Sequence, residues 1–287
     1  MNDMADTTER NRTESGVVYL VATPIGNMAD ISERAVKVLS ECSFVAAEDT
    51  RNSGLLLQRI GIKKPLIPYH EHNKASMGPE IVRRVLSGET CALITDAGTP
   101  AVSDPGEDLV VLCAESGITV HPVPGCCAAV SALSVSALPT RRWVFEGFLP
   151  GTGGERRERI EYLKTEERTV ILYEAPHRLV KTLNDLCGQL GTSRRLSVCR
   201  ELTKLNEEVL RGTLGEICGY FSENEPRGEF ALVLEGATPG SDSLCALSPE
   251  EHVKHYIDSG LSEKDAIKRA AKDRGVSKNE IYSIIKT

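Results

Sequence analysis

The sequence predicts an α/β protein of two alternating strand–helix units followed by a small helical module. Three observations lead there. Short apolar runs alternate with helical patterns from Val17 to about residue 135. A second alternating series runs from Glu155 to Leu234, and three short helical patterns follow Ser248. The length, 287 residues, suits two domains of roughly 150 residues each, and a chain that is 40% hydrophobic and 26% charged can build a core.

The elements follow in order. Val17–Thr23 is a β-rich run stopped by Pro24, and apolar residues then recur at helical spacing from Ile31. Phe44–Ala47 reads as a strand, Ser53–Ile60 as a helix ended by Gly61, and Pro79–Ser87 as a helix with Pro79 at its start. Cys91–Thr95 is a strand and Glu107–Ser116 a helix stopped by Gly117. Thr119–Val123 is a strand, after which Pro124-Gly125 opens another helix. Such alternation predicts a mostly parallel sheet covered on both faces. Three Gly/Pro-rich loops, 23–30, 96–106 and 124–128, fall at strand ends. Ligands bind beyond the carboxyl ends of such strands, and glycine lets backbone approach a ligand closely. Gly-Pro loops are also common in any α/β fold.

Pro150-Gly-Thr-Gly-Gly reads as a flexible joint. Beyond it come helices at Glu155–Lys164, His177–Gln189 and Gly215–Phe221, and strands at Thr169–Tyr173, Leu196–Arg200 and Phe230–Leu234. Gly236–Leu247 reads as a linker. Helices over 250–258, 262–273 and 277–286 are announced by Ser248-Pro-Glu, Ser262-Glu and Ser277-Lys. The expected division is a disordered polar leader 1–15, domains 16–138 and 139–238, and the module 248–287.

The net charge is −7, which does not suit a general nucleic-acid binder. The charge is uneven, however. Residues 1–140 carry 11 basic and 17 acidic side chains, whereas 141–211 carry 14 and 11 and 250–287 carry 8 and 7. A surface for RNA is therefore expected in the last two blocks. The nine cysteines include no C-x-x-C pair and read as reduced thiols. With no apolar run of about 18 residues and no apolar signal core near Met1, the expected location is the cytoplasm. The glycine fingerprint of dinucleotide folds, the P-loop, H-E-x-x-H and the nucleophile elbow are all missing, and the six His lack ligand spacing, so no metal is expected.

Six segments carry a specific resemblance: Val21-Ala-Thr-Pro-Ile-Gly-Asn; Ala46-Ala-Glu-Asp-Thr-Arg; Thr95-Asp-Ala-Gly-Thr-Pro with Asp104-Pro-Gly; Pro122-Val-Pro-Gly-Cys-Cys-Ala-Ala; Glu146-Gly-Phe-Leu-Pro; and Tyr173-Glu-Ala-Pro-His-Arg with Arg200-Glu-Leu-Thr-Lys. From about residue 17 to 236 the chain resembles the tetrapyrrole methylase superfamily, in its small-subunit rRNA methyltransferase branch. Thr95 stands where that branch usually has Ser, and Cys126 where it usually has Pro.

The resemblance implies two α/β domains of the tetrapyrrole methylase type, with S-adenosylmethionine in a cleft between them. The acceptor it implies is a cytidine ribose 2′-hydroxyl near the decoding centre of small-subunit rRNA or of the assembled subunit, and the assembly a homodimer. By the same resemblance the cofactor contacts are Ile25, Gly26, Asp96, Gly98, Thr99, Pro100, Val102, Gly125, Cys127 and Ala128, joined by Tyr173 and Ala231. Asp96 also reads as a loop cap.

A neutral ribose hydroxyl is a poor nucleophile, so a base or strong positioning is wanted. Glu48, Asp49 and Asp104 are the catalytic candidates; each reads equally as a structural carboxylate. Arg51, Arg141, Arg142, His177, Arg178, Arg200 and Lys204 are the candidates for RNA contact, against a plain solvated surface. The module reads as helix-turn-helix-like, or as a dimer contact. Two other functions stay open: methylation of a precorrin or uroporphyrin ring, and a non-catalytic RNA-binding module.

Overall fold

A computed structural model describes residues 12–238, 244 and 247–285. Most of the expected leader, residues 1–11, and most of the expected linker lie outside the described residues. The chain divides into two compact units between Ala128 and Ala129.

The first unit holds β1 (Val18–Val21), a 3-10 turn (Met28–Asp30), α1 (Glu33–Glu41), β2 (Phe44–Ala47), α2 (Thr50–Arg59), β3 (Leu66–Pro68), α3 (Lys74–Leu86), β4 (Cys91–Ile94), α4 (Glu107–Glu115) and β5 (Val120–Val123). The sheet order is β3-β2-β4-β1-β5, and all four ladders are parallel. Period-two alternation explains its burial. Tyr19, Val21, Val45, Ala47, Ala92 and Ile94 enter one apolar cluster with Val38 and Leu39 of α1. Val18, Phe44, Ala46, Cys91 and Leu93 enter the other with Ile81 of α3 and Leu109 of α4. Both faces are covered, as a parallel sheet requires.

Three local expectations need correction. α2 starts at Thr50 because the Asp49 side chain accepts from Arg51 N and caps it. α3 starts at Lys74, with Pro79 inside it. Its start is hard to read because Asn73 makes no cap bond; its side chain instead accepts from His70 N and donates to Pro68 O. β3 escapes the pattern because it is three residues long and half-exposed at the sheet edge, a place that tolerates Pro68.

The second unit begins in the first turn of α5 (Ala128–Val135). Then follow β6 (Trp143–Phe148), α6 (Gly153–Leu163), β7 (Thr169–Glu174), α7 (Pro176–Leu190), β8 (Arg195–Arg200), β9 (Glu208–Thr213), α8 (Leu214–Glu223) and β10 (Phe230–Leu234). The order is β6-β7-β10-β8-β9. β6–β7 is parallel, and the other three ladders are antiparallel. The two strands the pattern missed, β6 and β9, are the sheet edges, where one-sided burial weakens the apolar signal. Val170, Leu172, Val198, Leu232 and Leu234 pack under α6, α7 and α8. Helix α5 meets the opposite face: Ala129 N donates to Tyr173 Oη at 2.9 Å, and Arg211 donates to Val135 O.

The module forms α9 (Pro249–Asp258), α10 (Glu263–Arg274) and α11 (Lys278–Ile285) around Val253, Ala266, Ile267, Ala270, Ala271 and Ile281. Its start signals are physical. Ser248 and Glu251 form a capping box, Ser262 accepts from Asp265 N, and Ser277 accepts from Glu280 N. Gly275, with φ +65°, ends α10 in the left-handed conformation. No helix among the described residues is long and apolar enough to cross a membrane.

Candidate cofactor site and its carboxylate cluster

Because every strand of the first sheet runs the same way, the loops after β1, β2, β3, β4 and β5 emerge at one edge. Hydrogen bonds join three of them into one rim. Thr23 and Gly98 exchange backbone bonds of 2.9 and 3.1 Å. Thr23 Oγ1 donates to Thr95 O at 3.2 Å, and Thr99 Oγ1 donates to Cys126 O at 2.9 Å. Ile25, Gly26, Asp96, Gly98, Thr99, Pro100, Val102, Gly125, Cys127 and Ala128 all lie on the loops so joined, or at the helix start that follows them. Gly26, Asp96, Val102 and Gly125 are exposed there, while Ile25, Thr99, Cys127 and Ala128 are half-buried.

The glycines serve the chain before any ligand. Gly98 has φ +86°, and a Cβ on it would stand 3.5 Å from Ile25 and 3.8 Å from Cys126 O. A Cβ on Gly125 would stand 2.9 Å from the Ala22 methyl. Both hold the loops together at close approach. Ala101 and Ser103, in the loop after β4, have φ +65° and +62°. Such strain in L-residues collects at functional sites.

Beside the rim lies a carboxylate cluster. The Glu48 carboxyl is raised, chiefly by burial and then by the charge of Asp96, while a bond from Asp96 N and the nearby His70 oppose this. Asp104 is pushed up to about 6, first by burial and then by Glu48; a hydrogen bond from Thr95 works the other way. Asp96 accepts from Asn52 Nδ2 at 2.9 Å. Asp49 stands apart in role. It caps α2 and pairs with Arg51 at 2.7 Å, and hydrogen bonds from Arg51 hold its carboxyl at about 2. Asn52, Thr95 and His70 are neighbours that pattern reading did not select. Thr95 lies inside a quoted segment and Asn52 directly follows one, whereas His70 follows the unforeseen β3. Three carboxylates and exposed backbone on one rim suit a cationic ligand carrying a planar, hydrogen-bonding group, which fits S-adenosylmethionine. Among the described residues, no group of three or more His, Cys, Asp or Glu could hold a metal ion.

In the second unit Tyr173 and Ala231 are paired across β7 and β10. Tyr173 is wedged edge-on between Phe145 and Phe148, with centroids at 5.0 and 5.7 Å. A bulge between Phe145 and Gly147, where Gly147 has φ +67°, re-aims β6. Glu174 is buried and takes bonds from Thr182 Oγ1 and Ala175 N and an ion pair from Arg178. Segments 146–150 and 174–178 thus meet in a tightly bonded start to α7.

The RNA candidates divide by what already occupies them. Arg51 pairs with Asp49, and Arg178 with Glu174 and Leu149 O. Arg200 binds Arg227 O and lies 3.6 Å from Glu208. Lys204 bridges Glu201 and Glu229. Arg141, Arg142 and His177 are exposed and have no carboxylate partner among the described residues.

The family described as Tetrapyrrole (Corrin/Porphyrin) Methylases matches residues 17–218. The chain is 48% identical to a Halalkalibacterium halodurans protein named ribosomal RNA small subunit methyltransferase I, covering 96% of each chain. It is 45% identical to a Synechocystis protein of the same name, covering 94% of this chain and 97% of that one. A cobalt precorrin-4 methyltransferase structure superposes with a TM-score of 0.58 at 17% identity, covering 77% of this chain and 95% of that one, and so shares the fold. The chain belongs to the tetrapyrrole methylase family, in the branch whose curated members are named ribosomal RNA small subunit methyltransferase I.

Proposed function

We propose that this protein transfers a methyl group from S-adenosylmethionine to the ribose 2′-hydroxyl of a cytidine in the decoding region of small-subunit rRNA. The observation that carries the acceptor class is the near full-length similarity to relatives that share one rRNA-methyltransferase name. The donor reading is supported by the hydrogen-bonded rim of the first unit. The cofactor supplies an electrophilic methyl on a positively charged sulfur. Ile25, Gly26, Asp96, Gly98, Thr99, Pro100, Val102, Gly125, Cys127 and Ala128 would hold it. Tyr173 and Ala231 are assigned to it by family likeness.

This chain's residues have two tasks. Holding donor and acceptor in line removes much of the barrier of a displacement. The hydroxyl also needs a proton acceptor. Of the three candidates, Asp49 is committed to Arg51, whereas Asp104 at about 6 is ionised at neutral pH yet more basic than an ordinary carboxylate. We assign the base to Asp104, with Glu48 and Asp96 raising its basicity.

RNA phosphates are proposed to meet Arg141, Arg142 and His177, whose donors carry no carboxylate. The target nucleotide would be splayed from its duplex to react. The protein is proposed to act in the cytoplasm as a homodimer. Calorimetry with S-adenosylmethionine, followed by transfer of a labelled methyl to purified small subunits, naked rRNA and tetrapyrroles, tests the reading. Binding on the order of micromolar affinity with label in RNA is expected. Label in a tetrapyrrole, or no cofactor binding, overturns it.

A further inference from the structure

Cys187 on α7 and Cys218 on α8 lie 31 residues apart in sequence, with their sulfurs 2.8 Å apart. Both are half-buried, whereas Cys42, Cys91, Cys113 and Cys199 are buried. They sit at the margin of the second unit's core, and each residue is partly exposed. Nothing in the proposed methyl transfer uses them. Two thiols in contact, on two helices already packed together, need only a small approach to reach a sulfur–sulfur bond of about 2.05 Å.

We propose that Cys187 and Cys218 form a reversible oxidation site, converted by a peroxide to an intramolecular disulfide that staples α7 to α8. Burial, and then the bond to Cys187, push the Cys218 thiol up, and the oxidation is assigned to begin at Cys187, a thiol reacting as its thiolate. The Cys187 thiolate attacks hydrogen peroxide. A sulfur–oxygen bond forms, the oxygen–oxygen bond breaks, and the departing hydroxide takes a proton to become water. Cys218 then gives up its proton and attacks the Cys187 sulfenic sulfur. The sulfur–sulfur bond forms, the sulfur–oxygen bond breaks, and the second oxygen leaves as water. Two thiols are oxidised by two electrons in all, and one peroxide is reduced to two waters. A dithiol reductant reverses the reaction by exchange.

The test uses the full chain. The protein is treated with a slight excess of hydrogen peroxide, free thiols are blocked with iodoacetamide, and the digest is mapped by mass spectrometry. The expected result is a linked pair of peptides carrying Cys187 and Cys218, with intact mass lower by about 2 Da. Tm without reductant should rise by about 5 °C or more, because the link constrains the unfolded chain. Dithiothreitol should restore both the mass and the Tm. Cys187→Ser and Cys218→Ser should each abolish the link. In Cys218→Ser, dimedone should trap a sulfenic acid on Cys187, a readout that stands even where a variant is less stable. Linkage of Cys126 to Cys127 in its place, stepwise oxidation of both sulfurs to sulfinic acids without linkage, or a Cys187 that stays unreacted would each overturn the proposal.

Discussion

Thr99 shows how a single side chain can join two loops. Its hydroxyl donates to Cys126 O and ties the loop after β4 to the loop after β5. Thr99→Val keeps the shape and loses that bond, worth about 1 kcal/mol. Affinity for S-adenosylmethionine should fall roughly fivefold, read by calorimetry, and Tm should fall by about 2–4 °C. Asp104 makes a prediction with two opposite signs. Its pKa of about 6 in the fold exceeds the ordinary 3.8, so the folded protein holds this proton more tightly. The stability it adds is complete below about 4 and is lost as pH rises through about 6. Asp104→Asn should therefore raise Tm at pH 7.5 by about 2–4 °C, after discounting for its half-exposed setting, and by less at pH 4.5. Activity runs the other way. With Asp104 as base, kcat/KM should climb with pH through about 6 in the native protein and be lost in Asp104→Asn. A variant that is stabilised yet fully active would remove Asp104 from the chemistry.

At the scale of elements, Arg156 separates what a charge count says from what a fold does. In the sequence it is one more cation of the basic 141–211 block. In the structure its side chain is 5% exposed and joins three segments, donating to Asp185 on α7, to Thr182 and to Pro150 O. Arg156→Ala strands the Asp185 carboxylate and empties a packed site, costing about 3 kcal/mol. Tm should drop by about 6–12 °C, visible by circular dichroism. The same contrast explains what was legible. β1, β2 and β4 lie inside the sheet and are almost wholly buried, so their apolar runs mark them plainly; β5 is an edge strand with Pro122 exposed, marked by its β-branched residues and the Pro-Gly turn after it. The module's helices begin at serines that do cap. β3, β6 and β9 lie at sheet edges, where composition is mixed. The start of α3 is hidden because Asn73 bonds to the preceding loop. The loops of the candidate site were legible, since Gly and Pro mark them. Its internal order was not. That Asp49 is held by Arg51 while Asp104 faces Glu48 depends on neighbours brought together by the sheet. His70 likewise reaches Glu48 only because β3 lies beside β2.

On the scale of the whole molecule, the proposed division of labour follows charge. The first 140 residues have a balance of 11 − 17 = −6, and the 141–211 block 14 − 11 = +3. An acidic surface suits a cationic cofactor and repels a polyanion, so RNA affinity is assigned to the second unit. Arg141→Ala with Arg142→Ala, and separately removal of residues 248–287, should raise KM for the ribosomal substrate. The double variant should lower the slope of log binding against log salt by about 1.5–2, since each lost phosphate contact removes about one unit. Cofactor affinity should stay within about twofold, a change of less than 0.5 kcal/mol. Loss of cofactor binding with RNA binding intact would reverse the assignment.

The acceptor atom is reached directly by one product analysis. Small subunits are methylated with labelled S-adenosylmethionine, and the rRNA is then hydrolysed in alkali, which cuts RNA through its 2′-hydroxyl. Label is expected in an alkali-resistant dinucleotide whose 5′ residue is cytidine, with the added methyl mass on the ribose. A labelled nucleotide that is released as a monomer, with the added mass on its base, would contradict it.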